Sequence, residues 1–180
     1  TDEDDIKLWV PGVARLAGPN DSEWRTDITF FNPTSEDLSF DVTYVPSEDL
    51  GILPYLKIRG MHPGEALGYL DILGDSMLPA GVESKGYFIV ETFNSTGLPQ
   101  IAARTYNVDL SGGTFGQNLF VFRAAVLVDE GAQSFVPGIA VSETNDDGFR
   151  TNFGVFNTDQ TDWAQVKLTV LDENGNVAGD

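Results

Sequence analysis

Apolar and polar residues alternate along much of this chain, with the period of a half-buried β-strand. The clearest run spans residues 38–44, where Leu38, Phe40, Val42 and Tyr44 share one face. Helical spacing occurs only at 71–78, which is too short for more than a turn or two. The pattern therefore predicts an all-β, antiparallel sandwich of eight or more strands with at most one short helix. The other predicted strands are 6–10, ending at Pro11-Gly12, and 25–32, 52–58, 65–69, 87–93, 100–108, 117–128 and 164–170.

An internal repeat organises these strands. Trp9–Ala14 (WVPGVA) returns as Phe135–Ala140 (FVPGIA), and each copy is followed by an aromatic-Arg-Thr step and then by Phe-Asn. The offset stays at 126 positions (11 to 137, 40 to 166) or 125 (24 to 149). We interpret residues 1–180 as a single β-sandwich domain, with repeat 1 at about 8–133 and a partial repeat 2 at about 134–180.

The repeated motifs also resemble a known pattern. The segments that carry it are Val10–Ala14, Trp24–Asp27, Phe31–Pro33, Ala103–Asn107 and Gly113–Gln117. In this order they resemble a group of secreted and cell-surface prokaryotic proteins that carry the pattern in tandem. The resemblance implies an extracellular, mostly β module and supplies no catalytic residues. Repeat 2 departs from the pattern, with Thr158 in place of Pro33 and no counterpart of 104–117.

Repeat 2 offers fewer strands than repeat 1. After the strand at 164–170 comes an Asn174-Gly175 turn, a strong hairpin signal, and then only Val177 and Ala178 to form a returning strand. Either the two repeats share a single sandwich, or the sheet is left incomplete with an open edge, which is a pairing site for another strand. Strand donation between copies is one way to fill it. The candidate donor positions are Ile6, Leu8 and Val10.

Charge and composition limit the classes of partner that the chain could bind. The formal net charge of −18 opposes binding to nucleic acid and to anionic lipid. No apolar run approaches the roughly 20 residues of a membrane span, so membrane insertion is not expected. Cysteine is absent, which excludes disulfides and thiolate chemistry. We expect an exported chain, extracellular or at the cell surface, whose signal has been removed.

Catalytic and metal-binding signatures are missing from the sequence. His62 is the only histidine and lies in a His-Pro-Gly turn, so we interpret it as a solvent-facing turn residue. The acidic turn 172–176 fails the calcium-loop pattern because Val177 stands where glycine is required. Looser calcium sites at 2–5 and 143–148 remain open against ordinary turn chemistry. We predict no catalytic, cofactor-binding or metal-binding residue and no cofactor.

Two further motifs have structural interpretations. Arg25, Arg104 and Arg150 each precede a threonine and stand beside an aromatic residue. We expect each guanidinium to lie over an aromatic ring or to pair with a carboxylate, with an exposed partner- or sugar-binding surface as the alternative. Asn94 and Asn20 fit the glycan-acceptor triplet in predicted loops.

These observations favour a non-enzymatic extracellular structural module that associates with itself in a surface fibre or layer. A carbohydrate-binding or adhesion module is the alternative, with Trp9, Trp24, Trp163 or tyrosines as stacking platforms. A glycoside hydrolase is the third, and it needs a cleft with two carboxylates roughly 5–10 Å apart.

Overall fold

The chain forms two compact units, residues 1–140 and 141–180, where the sequence interpretation treats 1–180 as one domain. A computed structural model describes residues 6–18, 21–93, 97–108, 112–123, 128, 130–137, 154–159 and 162–179. The all-β, antiparallel fold predicted from the sequence is confirmed, and its packing is consistent with a sandwich. Among the residues described, no helix has the length and apolar character needed to cross a bilayer.

The described part of the first unit holds nine strands and one turn of π-helix, Leu73–Met77. Hydrogen bonds order the strands β4-β3-β6-β1-β2-β7-β8, with β9 beside β1 and β5 beside β2. The π-helical turn lies within the segment predicted to be helical. The strands are β1 (Ile6–Ala17), β2 (Glu23–Phe31), β3 (Leu38–Pro46), β4 (Tyr55–Met61), β5 (Ala66–Tyr69), β6 (Ser84–Thr92), β7 (Gln100–Val108), β8 (Thr114–Leu119) and β9 (Phe122–Arg123).

β1 changes its pairing partner along its length. It pairs with β6 from Ile6 to Arg15 and then with β2 at Leu16 and Ala17. The prediction that the strand ends at Pro11-Gly12 is wrong. Gly12 takes a left-handed conformation (φ +82) at a register shift, so it forms a β-bulge that bends the strand.

The core lies where alternate residues of β1, β2, β3 and β6 meet. Phe30 packs against Phe40 with ring centroids 5.1 Å apart, and Tyr44 meets the edge of Phe88 at 5.7 Å. Full burial of such a side chain contributes about 1.5–3 kcal/mol. The Tyr44 hydroxyl donates to Ser84, and burial raises the pKa of Tyr44 to about 12. Other members of the core are Val10, Val13, Ile28, Leu38, Val42 and Val90.

The described part of the second unit is sparser. β10 (Val170–Leu171) and β11 (Val177–Gly179) pair around the turn that contains Gly175. The hairpin predicted from Asn174-Gly175 is therefore confirmed. Residues 163–169 carry no regular secondary structure, so the strand predicted at 164–170 forms only at its last position.

Candidate functional surface

The Val-Pro-Gly and Arg-Thr motifs form one structural device. The Gly12 bulge leaves backbone groups of β1 facing away from β6, and buried backbone groups need partners. Thr26 Oγ1 accepts from the Ala14 N–H at 2.9 Å, while the Thr105 hydroxyl donates to the Gly12 carbonyl at 2.8 Å. The two hydroxyl oxygens lie 2.8 Å apart across β2 and β7. The motif residues are therefore occupied in holding the β1 bulge to β2 and β7.

Asn32 closes the turn after β2 and is fully buried. Its Nδ2 donates to the carbonyls of Glu36 and Met61, both at 2.8 Å. Its Oδ1 accepts from the backbone N–H and the hydroxyl of Thr34 at 2.9 and 2.7 Å. The Phe-Asn motif thus also has a structural role.

Asn157, the counterpart of Asn32 in repeat 2, makes a similar turn. Its Oδ1 accepts from the N–H of Asp159 two residues later, at 3.1 Å, as Asn32 does from Thr34. Its Nδ2 donates to the carbonyl of Asp162 at 2.7 Å. The two Phe-Asn copies therefore share the hydrogen bond from the asparagine side chain to the N–H two residues later.

The arginines of the described Arg-Thr pairs behave as expected. Arg25 forms an ion pair with Glu23, which raises the pKa of Arg25 and lowers that of Glu23. The Arg104 guanidinium lies 5.0 Å from the centre of the Tyr106 ring. The structural interpretation is confirmed for these two residues, while Arg150 lies outside the described residues.

A polar network covers the surface beside these arginines. Asp27 Oδ1 accepts from the Tyr106 hydroxyl at 3.0 Å and from the backbone N–H of Asp71 at 2.9 Å. Arg15 pairs with Asp71 at 3.3 Å. Burial, reinforced by its hydrogen bond to Asp27, raises the pKa of Tyr106. The acids of this network are held by fixed donors, which is a structural arrangement.

Two surface depressions bear on the hydrolase hypothesis. One, of about 420 Å³, is lined by residues of β2, β7 and β8 and contains a single carboxylate, Asp27. The other, of about 410 Å³, lies along 45–53, where Glu48 and Asp49 are sequence neighbours. Within the described residues, no three acidic or histidine side chains converge in a way that could hold a metal ion.

The predicted donor strand lies inside its own fold. Leu8 and Val10 are buried in the core, and the backbone of Ile6 pairs with Thr92 on β6. On the other side of β1, Leu8 and Trp9 pair with β9. Donation of this strand to another molecule therefore requires that it first leave β6 and β9.

The other candidate residues are dispersed. Trp9 is only 7% exposed, Trp24 is half-buried and Trp163, in the second unit, is 80% exposed. His62 is exposed in its turn as expected, and the nearby Asp37 carboxylate raises its pKa. Asn20 and Asn94, the glycan-acceptor candidates, lie outside the described residues.

The two ends of the strand order differ in chemistry. β4 is an edge strand, and it carries Lys57 and Arg59. Arg59 pairs with Asp41 and donates to the Phe40 carbonyl at 2.9 Å, so it fills the irregularity between β3 and β4. Charged side chains on an edge strand oppose pairing with another chain. This edge is protected.

β8 is the opposite edge and lacks such protection. Its sequence, TFGQNL, contains no charge and no proline. Within the described residues no strand pairs with its outer side. Phe115 is 70% exposed, and the adjoining Phe120 is 77% exposed. Short segments with β-propensity, no charge and no proline are prone to strand addition.

Sequence reasoning missed this edge. It placed the strand start at Gln117, although the Gly112-Gly113 turn and the uncharged TFGQNL that follows were the available signals. The pairing order decides which strands are edges, and that order is set by contacts far apart in the chain. The position of the TFG segment at a sheet edge therefore becomes apparent only from the fold.

No family model, curated protein or solved structure matches this chain. The resemblance to tandem-repeat surface proteins stays a prediction. Any functional inference must therefore rest on the geometry described above.

Proposed function

We propose that this chain is a non-enzymatic, extracellular structural module that associates with itself through the edge of β8. The carrying observation is the contrast between the two edges: β4 is protected by Lys57 and Arg59, whereas β8 is uncharged and unpaired within the described residues. The motif residues that the structure describes support this proposal because they are engaged in backbone and turn contacts within the chain.

Edge pairing supplies both affinity and geometry. Each added strand pairs backbone N–H and C=O groups that otherwise face water, and the exposed Phe115 adds apolar contact. The net charge of −18 opposes contact between copies. Salt screens that repulsion over a Debye length of about 10 Å at 0.1 M, so association should strengthen as salt increases.

Analytical ultracentrifugation of the chain across concentration and salt tests the proposal. We expect a shift to larger species as salt rises from about 0.05 to about 0.5 M. Asn118→Lys places a charge on the edge and should weaken association at least about tenfold. This variant has a lower net negative charge than the parent, so its copies should repel each other less. A loss of association therefore cannot be caused by the change in net charge. Gln100→Lys, an exposed position on the interior strand β7, is the matched control.

Each outcome has a distinct meaning. A chain that stays monomeric at every salt and concentration would overturn the proposal. Assembly that resists Asn118→Lys but requires partial unfolding would instead support exchange of β1 between copies, because β1 must leave β6. Equal effects of Asn118→Lys and Gln100→Lys would show that the added charge acts without regard to the edge.

Carbohydrate binding is the second candidate, and the exposure of Trp163 favours it. An indole face open to solvent can stack on a sugar ring. A glycan array that detects binding by the parent chain, with loss on Trp163→Ala, would support it. Binding that survives this substitution would exclude Trp163 as the platform.

A further inference from the structure

The hairpin turn of the second unit brings together two residues that can react with each other. Asn174-Gly175 is the only Asn-Gly step in the chain. Both residues are exposed, and among the residues described no group bonds the side-chain amide of Asn174. Gly175 has a left-handed backbone (φ +83) and open space where a side chain would begin. The Asn174 carboxamide can therefore approach the Gly175 nitrogen without obstruction from a neighbouring side chain.

Two other asparagines show what restrains this approach elsewhere. Asn32 is held by four hydrogen bonds and precedes Pro33, whose nitrogen carries no proton. The Asn157 amide donates to a backbone carbonyl, and Asn157 precedes Thr158, whose β-branched side chain crowds the peptide nitrogen. Asn174 has neither kind of restraint, so it is the most reactive of the three.

We propose that Asn174 is a site of spontaneous deamidation and that the hydrogen bonds of Asp172 control its rate. The Gly175 nitrogen bonds to Cγ of Asn174, the Cγ–Nδ2 bond breaks, and ammonia leaves with the proton lost by Gly175. Water then adds to one of the two carbonyls of the resulting succinimide, which gives aspartate or isoaspartate. The net change replaces –NH2 by –OH, with no oxidation or reduction. The reaction is intramolecular and does not depend on the proposed self-association.

The folded turn opposes this attack because the attacking nitrogen is already bonded. The Gly175 N–H donates to the Asp172 carbonyl at 3.0 Å. Asp172 Oδ1 fixes the turn by accepting from the N–H groups of Asn174 and Asn176 at 2.9 and 2.8 Å. Because loss of the Gly175 proton breaks the first of these bonds, the attack requires the turn to open. The rate of deamidation therefore depends on how often the turn opens.

The hairpin around this turn is small enough to open readily. β10 has two residues and β11 has three, and Val170, Leu171 and Val177 are all exposed. A two-stranded hairpin of this kind is at best marginally stable in water. The hydrogen bonds of Asp172 are then a large part of what keeps the turn closed, and their removal should increase the open fraction.

Deamidation should in turn weaken the hairpin. Both products place a new carboxylate beside Asp172 and Glu173, and like charges at this spacing repel. Isoaspartate also carries the main chain through the former side chain, which adds one carbon to the backbone. The contacts of Asp172 with residues 174 and 176 should therefore be lost first, followed by the pairing of β10 with β11.

Peptide mapping by mass spectrometry of the full chain, incubated at mildly alkaline pH, tests the proposal. Base speeds the attack because it removes the Gly175 proton. We expect a mass gain of about 1 Da on the peptide that contains Asn174, with isoaspartate as one product. The peptides that contain Asn32 and Asn157 should remain unchanged. Asn174→Gln should abolish the mass gain, since glutamine would have to close a larger ring.

Two variants separate control by the turn from an effect of charge. Asp172→Ala removes the acceptor that fixes the turn, so it should speed deamidation by about fivefold. Glu173→Gln removes the same charge beside the same asparagine, and within the described turn Glu173 makes no hydrogen bond. Its rate should stay within about twofold of the parent. Hydrogen exchange at the Gly175 N–H should be faster in Asp172→Ala and unchanged in Glu173→Gln.

Each outcome supports or overturns one part of the proposal. A parent in which Asn174 persists as long as Asn157 does overturns the deamidation site. Equal acceleration by Asp172→Ala and Glu173→Gln overturns control by the turn, because charge alone would then explain the rate. Faster deamidation and faster exchange in Asp172→Ala alone support both parts.

Discussion

Residues 38–44 and 164–170 share an apolar alternation but differ in environment. In repeat 1 the alternating side chains form the centre of the core, whereas in repeat 2 Val166, Leu168 and Val170 are exposed. The turns that precede these segments are nevertheless similar, since Asn32 and Asn157 both accept from the N–H two residues later. Turn conformation is thus encoded within a few residues, while burial depends on strands far away in sequence.

This contrast predicts very different costs for substitutions at equivalent positions. Phe40→Ala removes a fully buried ring that packs against Phe30, so it should destabilise the first unit by about 3–5 kcal/mol. Val166→Ala should change the same transition by less than about 0.5 kcal/mol because its side chain is largely in water. Urea denaturation of dilute samples, with circular dichroism as the probe, measures both.

Val42→Ala provides the size-matched control, because it makes the same chemical change as Val166→Ala at a fully buried site. It should cost about 2–3 kcal/mol, since about 0.8 kcal/mol per buried carbon is joined by a cavity penalty. If Val166→Ala proved as costly as Val42→Ala in dilute solution, the side chains of residues 164–170 would be buried in the isolated chain, and the contrast between the repeats would fail.

Asn32 and Asn157 occupy equivalent positions and test the part of the comparison that concerns the turns. Asn32→Ala removes a side chain with four hydrogen bonds and leaves the Met61 carbonyl without its buried donor, which should cost about 2–3 kcal/mol. Asn157→Ala loses exposed contacts and should cost less than about 0.5 kcal/mol on the same transition. Urea denaturation again supplies the measurement.

Asn32→Asp is the informative control for that pair. It keeps the acceptor for the Thr34 N–H but removes the donor to Met61 and Glu36. Its cost should equal or exceed that of Asn32→Ala, because the buried carboxylate would also face the two carbonyl oxygens that the amide now bonds. Negligible destabilisation by Asn32→Ala would contradict the structural role given to the Phe-Asn motif.

The sequence predicted those features that depend on short-range patterns. Alternation at 38–44 indicated a buried strand, and Asn174-Gly175 indicated a hairpin. The continuation of β1 through Pro11-Gly12 was not predicted, because the bulge is held by Thr26 and Thr105 from other strands.

The candidate surface, the β8 edge, was harder to predict from the sequence for the same reason. TFGQNL is an unremarkable strand until the pairing order places it at an edge. By pattern, Leu8 and Val10 belong to an amphipathic terminal strand that could be donated to another copy. Only the pairing with β6 shows that both side chains are buried in the core of their own chain. Alternation identifies strands, but it does not identify their neighbours.

The smallest expected difference between the two units concerns pH. In the second unit, hydrogen bonds from the backbone and side chain of Asn176 lower the pKa of Asp172 below its usual 3.8. In the first unit, the hydrogen bond with Asp37 raises the pKa of His62 above 6.5. The Asp172 turn should therefore weaken as pH falls below about 3.8, while the His62 contact should weaken as pH rises past the folded pKa of His62.

Nuclear magnetic resonance titration can follow each group separately, because His62 is the only histidine and Asp172 has a distinct carboxyl environment. Asp37→Asn should return the midpoint of His62 toward 6.5 and leave Asp172 unchanged. A midpoint for His62 at or below 6.5 in the parent would show that the Asp37 contact is not maintained in solution. Since both groups are solvent-exposed, neither titration should shift the main unfolding transition by as much as Asn32→Ala does.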